Sequence, residues 1–199
     1  MSIKLNNKEL KKILIENKIE ATVKKTTRTS EDRFNDAIDT MNNEGPNDKI
    51  YFNTEYSVCI LEFQNIAFIS NNDLLRLDNR DIYKLKMGWH TRIKSLVSHV
   101  DLSKWEIMKS KKILIEFLYK TKNAQMYDPD AISSAFKFTL DGLVHAGLLI
   151  DDSLDNVPMI IPRQEKTKIE NSLYIVLSAC PEIDNFYTDA FKMVVNKQK

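Results

Sequence analysis

The sequence predicts a mixed α/β (α+β) protein: a small mixed sheet with helices packed on it, plus a short helical N-terminal arm. Three observations predict it. Runs of strand length, rich in β-branched and aromatic residues, recur at 57–70, 111–119, 157–161 and 168–177. Two stretches, 74–100 and 130–146, instead carry apolar residues at helical spacing. The first fifty-odd residues are more polar and break into short amphipathic pieces that cannot support a core alone.

With 199 residues, 43% of them hydrophobic and 29% charged, the chain has the composition of a globular protein with one domain and an appendage. Its two cysteines, Cys59 and Cys180, lie in or beside apolar runs and have no metal or redox spacing, so they read as reduced core thiols. No apolar stretch reaches the eighteen residues of a membrane span, and Met1-Ser2-Ile3-Lys4 lacks the apolar region of a signal peptide. The expectation is a cytoplasmic protein with no membrane contact.

In chain order, Asn6 with Glu9 reads as a capping box ahead of Leu10, Ile13 and Leu14. After a polar, basic run, Ser30 is expected to cap a second short helix. Glu31 and Asp32 fall in its first turn, and Phe34, Ala37, Ile38 and Met41 form its apolar stripe. Gly45-Pro46 stops it. The arm is expected to span 1–55 and to dock on a main domain of 56–199, with contact to a partner as the alternative. There, Ser57 to Ser70 reads as strand, Ser70-Asn71-Asn72 as its break, and Leu74 to Val100 as helix with Leu85, Trp89, Ile93, Leu96 and Val97 inward. Lys111 to Tyr119 is a buried strand. Arg163-Gln164-Glu165-Lys166 is expected to turn the runs on either side into a hairpin, and Phe186, Ala190, Phe191 and Val194 suggest a closing helix.

A net charge of +1 hides a polarised layout. From Arg76 to Lys122 there are twelve basic and five acidic residues; from Asn123 to Asp152 there are five acids and one base. Arg76, Arg80, Lys84, Lys86, Arg92 and Lys94 are the candidate phosphate-binding residues on the helix over 74–100. Any one of them can equally be a solvated face residue.

The acidic stretch carries the functional signal. Asp130 stands at an expected N-cap before Ile132, Ala135, Phe136, Thr139, Leu140, Leu143 and Val144, and Gly147 ends that helix. Lys137, seven residues on, falls on the face of Asp130 with its ammonium leaning back toward the acids. Leu148-Leu149-Ile150 is expected to bring Asp151-Asp152 back to Asp128 and Asp130. Converging carboxylates need a cation, and Mg²⁺, with Mn²⁺ as a substitute, suits an all-oxygen site for phosphodiester hydrolysis. Each acid also has an ordinary reading: Asp130 as a cap, Asp128-Pro129 as a turn, Asp141 as the ion-pair partner of Lys137, and Asp151-Asp152 as a hairpin turn. Of the histidines, His90 and His99 belong to the basic helix and His145 to a helix C-terminus. Neither Ser133-Ser134 nor Cys180 has a base and an orienting partner for nucleophilic catalysis.

The order Asp128-Pro129-Asp130, Lys137, Leu140-Asp141-Gly142-Leu143, Ala146-Gly147 and Asp151-Asp152 resembles the RusA-type Holliday-junction resolvases of bacteria and their phages. Ser70-Asn71-Asn72 after the first strand is similar to that family's Ser-x-Asn segment, and the resemblance spans about Val58 to Leu177. It implies a RusA-like fold and a homodimeric endonuclease that resolves four-way DNA junctions or related branched DNA. It further implies Asp128, Asp130 and Asp152 as metal ligands, Asp151 as an accessory acid, and Lys137 as the catalytic lysine. Ala131 departs from the family, which commonly has Asn there. The acids and the lysine are intact, so an active enzyme is expected, with a non-catalytic junction-binding protein as the alternative.

Overall fold

The structure is a computed structural model that describes residues 29–42, 47–53, 55–67, 69–122 and 129–179; at 30, 41, 42, 104, 107, 129–132, 134 and 135 it describes the backbone alone. The expected helix after Asn6, the closing helix with Phe186, and Asp128 and Cys180 lie outside those residues.

A five-stranded mixed sheet, in the order β1-β2-β5-β3-β4, carries the fold. β1 (Lys49–Asn53), β2 (Val58–Gln64) and β5 (Ser172–Ala179) are antiparallel neighbours, and β5 also pairs antiparallel with β3 (Ile113–Thr121). β4 (Met159–Lys166) adds to β3 in parallel. A parallel pair requires a crossover, and α5 (Pro129–His145) supplies it. The remaining helices are α1 (Ser30–Asn42), α2 (Asn71–Leu74), α3 (Asn79–Val97) and α4 (Ser103–Lys109).

Strand periodicity decides which face is core. Cys59, Leu61 and Phe63 of β2, Ile113, Ile115, Phe117 and Tyr119 of β3, and Leu173, Ile175 and Leu177 of β5 all point to one side and are buried. Trp89, Ile93 and Val97 of α3 and Leu140 and Leu143 of α5 cover them. Phe63 meets Trp89 edge-on at 5.6 Å, and Phe117 stacks on Phe136 at 4.3 Å. Gly142 lets α3 approach α5 closely: a Cβ there would come within 2.7 Å of Ile93 Cδ1. Burial also pushes the Cys59 thiol up to about 12, so it stays protonated in the core.

Several expectations are corrected. β2 stops at Gln64 rather than Ser70, because Asn65 takes a positive φ of 53° and turns the chain out of the sheet. The helix expected over 74–100 is shorter: α2 ends at Leu74, the chain turns through 75–77, and α3 runs only Asn79–Val97, capped by Asp78, which accepts from the Asp81 N–H. That bond holds the Asp78 carboxyl below its usual range. α1 is capped by Thr29, not Ser30: the Asp32 N–H donates to Thr29 Oγ1 at 3.1 Å, and the Thr29 N–H donates to Asp32 Oδ2 at 2.9 Å. β4 and β5 do not form a hairpin, because β3 lies between them and Arg163 to Lys166 continue β4. Such a polar run suits a sheet edge, where Arg163 bonds Glu116 of β3 at 2.7 Å.

The described residues of the expected arm, 29–42 and 47–53, pack on the rest of the fold. Phe34 and Ala37 of α1 pack with Ile69 and Leu85, and β1 pairs with β2 residue by residue, so a boundary at 55 divides a hairpin. Among the described residues no helix is long and apolar enough to cross a membrane.

Candidate functional site

α5 is the axis of the site, and α3 lies along it in the same direction. Lys86 Nζ reaches Asp141 Oδ2 at 2.6 Å, and one turn further His90 stacks on His145 at 5.2 Å.

At the N-terminal end, α5 begins at Pro129, whose missing N–H costs nothing in the first turn. Asp130 therefore lies inside the first turn, not at the cap, and its side chain is outside the described set. Other elements hold this end. Asn71 Nδ2 donates to Ser133 Oγ at 3.2 Å. Asn71 opens α2, whose cap Ser70 accepts from the Asp73 N–H and donates to Asp73 Oδ2 at 2.8 Å. Asp73 is buried and receives Arg33 of α1 through two bonds, Nε to Oδ2 at 3.0 Å and Nη2 to Oδ1 at 2.7 Å. The segment expected to break a strand, and similar to the Ser-x-Asn segment of the resembled family, thus links α1 to the start of α5. Its sequence signal was Ser70-Asn71-Asn72; the link to Ser133 had none.

Lys137 is exposed and has no ion-pair partner among the described residues. The expected pair with Asp141 is corrected: Lys86, from the neighbouring helix, takes Asp141.

The C-terminal end is closed by backbone. Gly147 has φ +79°, its N–H donates to Val144 O at 3.0 Å, and the Leu148 N–H donates to Leu143 O at 2.9 Å. Trp105 Nε1 seals the turn onto Leu148 O at 2.7 Å, and Lys109 Nζ reaches Gly147 O at 3.3 Å. Asp151 and Asp152 follow directly and are exposed, with the Asp152 N–H donating to Asp151 Oδ1 at 2.9 Å. The chain turns at once, Val157 N to Ser153 O at 2.7 Å, and Asn156 O accepts from the N–H of Ile113, the first residue of β3.

These bonds fix Asp151-Asp152 at the end of α5 opposite Asp130. Seventeen residues of helix separate the two ends by about 25 Å. Within one chain Asp151-Asp152 therefore do not return to Asp130, and Asp128 lies outside the described residues. Among the described residues, no three His, Cys, Asp or Glu side chains are grouped to hold a metal.

The candidate phosphate-binding residues divide sharply. Arg92 is a core residue with a side chain 3% exposed: Nε and Nη2 bond Asp48 at 2.6 and 2.8 Å, Nη1 bonds Thr40 O at 2.6 Å, and Nη2 bonds Gln64 O at 2.7 Å. It ties α1, β1 and β2 to α3 and is unavailable to DNA. Lys86 is half-buried on Asp141. Arg76, Arg80, Lys84 and Lys94 are exposed, with Arg80 and Lys84 bonded to Asp78 and Asp81. All but Lys94 sit on the N-terminal half of α3 or just before it.

His90 Nε2 is buried and has no hydrogen-bond partner among the described residues. Burial, then Lys86 and His145, push its pKa down, with Asp141 opposing.

No family model matches the sequence, and no curated protein matches it.

Proposed function

We propose that the protein is a structure-selective endonuclease that cuts four-way junctions or related branched DNA by Mg²⁺-dependent hydrolysis. The observation that supports this most is exposed Lys137, about two turns along α5 from Asp130, with exposed Arg76, Arg80 and Lys84 on or just before the first half of the neighbouring α3. Bases beside acids at one surface suit a phosphodiester: the former bind the backbone, and the latter hold a cation.

The length of α5 sets a condition on this reading. Asp152 joins Asp130 only if a second chain supplies it, so the active species is a homodimer with each site drawing on both chains. Asp128 and Asp130 of one chain and Asp152 of the other, with Asp151 adjacent, would hold the metal. Mg²⁺, or Mn²⁺ in its place, supplies an activated water and charge neutralisation at the phosphate. Lys137 binds the scissile phosphate and offsets the charge that grows on it.

The separation of the acids within one chain, together with Ala131, favours one alternative: a junction-binding protein that does not cut. A synthetic four-way junction and a linear duplex of equal sequence, each with Mg²⁺ or EDTA, decide between them. Nicking of the junction with Mg²⁺, absent with EDTA and in Asp152→Asn, is the expected result. Tight junction binding without nicking at any metal concentration would establish the alternative, and binding to neither DNA would sink both.

A further inference from the structure

We propose that residues 181–199 of this chain cover the open face of the sheet, laying the apolar stripe of an amphipathic helix on Ile60 and Val176. The proposal is independent of the nuclease reading.

Alternation along the strands gives the sheet two faces, and only one of them is the core. The opposite face carries Val58 and Ile60 of β2, Val176 of β5, Leu114 and Leu118 of β3 and Ile161 of β4. None of these belongs to either packed cluster, and α3, α4 and α5 contribute to the cluster on the core side. A sheet face left to water turns polar at every second residue, whereas this one stays largely aliphatic across its three middle strands.

The register locates the aliphatic part. Val58, Ser178 and Leu114 lie side by side in one row, and Ile60, Val176 and Glu116 in the next. Toward the other end the face turns polar. Glu62 accepts from the Tyr174 hydroxyl at 3.0 Å, and Lys120 Nζ lies 4.7 Å from the centre of the Tyr174 ring. β5 ends at Ala179, next to the first row, so the chain leaves the central strand at the aliphatic end of the face.

The sequence that follows selects the occupant. Ile183, Phe186, Tyr187, Ala190, Phe191 and Val194 recur at helical spacing, and Pro181 suits the first turn of such a helix. A helix over 182–195 measures about 21 Å and the eight residues of β5 about 26 Å, so one helix along β5 matches the face in length. Its attachment directly to β5 gives the segment an effective concentration over this face that no separate molecule has. A second copy packed sheet to sheet would also bury Glu62 and the Glu116–Arg163 pair. A face covered in this way is closed to a second copy, so the homodimer of the proposed function meets through another surface.

Thiol labelling of the full chain tests this. Val176→Cys is made together with Cys180→Ser, and buried Cys59 reports an intact fold by staying unlabelled. The thiol at position 176 is expected to react about tenfold or more slowly than one introduced by Tyr83→Cys on exposed α3. Adding Phe186→Asp and Phe191→Asp should raise the rate at 176 about tenfold and leave the rate at 83 unchanged. Equal rates at 176 with and without those two substitutions would overturn the proposal. A rate at 176 that rises only on dilution would overturn it too, in favour of a second copy. Where the two substitutions expose Cys59, a photo-crosslinking residue in place of Ile60, with 181–199 unaltered, decides the matter. Crosslinks within one chain to 182–195 are expected; crosslinks between chains, or none to that segment, would overturn the proposal.

Discussion

At its N-terminal end α5 is held by side chains from elsewhere, Asn71 on Ser133 and behind it Ser70, Asp73 and Arg33, whereas at its C-terminal end it is closed by its own backbone around Gly147 and by Trp105. The first end is polar where it is described, at Asn71 and Ser133; the second is tight and apolar around Leu148 and Leu149, with exposed Asp151-Asp152 just beyond. A helix end built from side-chain hydrogen bonds can be altered one contact at a time without unfolding the core. An end built on a left-handed glycine cannot. The same division runs along α3, where Arg80 is a solvent residue and Arg92, three turns on, is buried in bonds to Asp48 and two carbonyls.

The largest effect expected on stability comes from that second contrast. Arg92→Ala leaves Asp48 buried and unpaired and should cost about 3–5 kcal/mol in denaturant unfolding, while Arg80→Ala should leave the midpoint unchanged. A loss below about 1 kcal/mol for Arg92→Ala would mean that α1 and β1 are not clamped as described.

On activity the ends should respond alike although they differ in build. Asp130→Asn and Asp152→Asn are each expected to lower Mg²⁺-dependent junction cleavage by about 100-fold or more with unfolding midpoints unchanged. A loss confined to Asp130→Asn would assign the chemistry to the N-terminal end alone.

Gly147→Ala tests the closed end. Its φ of +79° strains any Cβ-bearing residue, although space for the methyl group exists, so a loss of about 1–2 kcal/mol is expected from conformation alone. Asn71→Ala should move stability less than that and cleavage more.

The smallest effect is a pH slope. The folded pKa of His90 is depressed below the ordinary 6.5, so the unfolded chain takes up its proton first as pH falls. Its contribution to stability is complete above about pH 6.5 and is lost as pH drops through the folded value. His90→Leu should flatten unfolding free energy against pH across that window; an unchanged slope would assign it to other groups.

Much of this was legible in the sequence because its causes are local. β3 is an unbroken apolar alternation, and Gly147 marks a helix end through its own conformational freedom. What was not legible depends on partners far along the chain. Arg92 and Asp48 are 44 residues apart, and nothing in helical spacing distinguishes a basic residue facing water from one facing a buried acid. Arg163 to Lys166 has the composition of a turn and the position of an edge strand, which only the pairing with β3 reveals. Convergence of the acids was expected because Leu148-Leu149-Ile150 leads inward. Leu148 and Leu149 do go to the core while Ile150 is exposed, and they enter it at the far end of a helix whose length keeps Asp152 from Asp130.

That separation makes the central claim testable in one measurement. Asp130→Asn and Asp152→Asn chains, each inactive alone, are mixed under conditions that exchange subunits and assayed for Mg²⁺-dependent junction nicking. If each site joins Asp130 of one chain to Asp152 of the other, the mixed dimer holds one site with both acids intact, and nicking returns. If both acids act within one chain, or if the protein only binds, no mixture of the two regains activity.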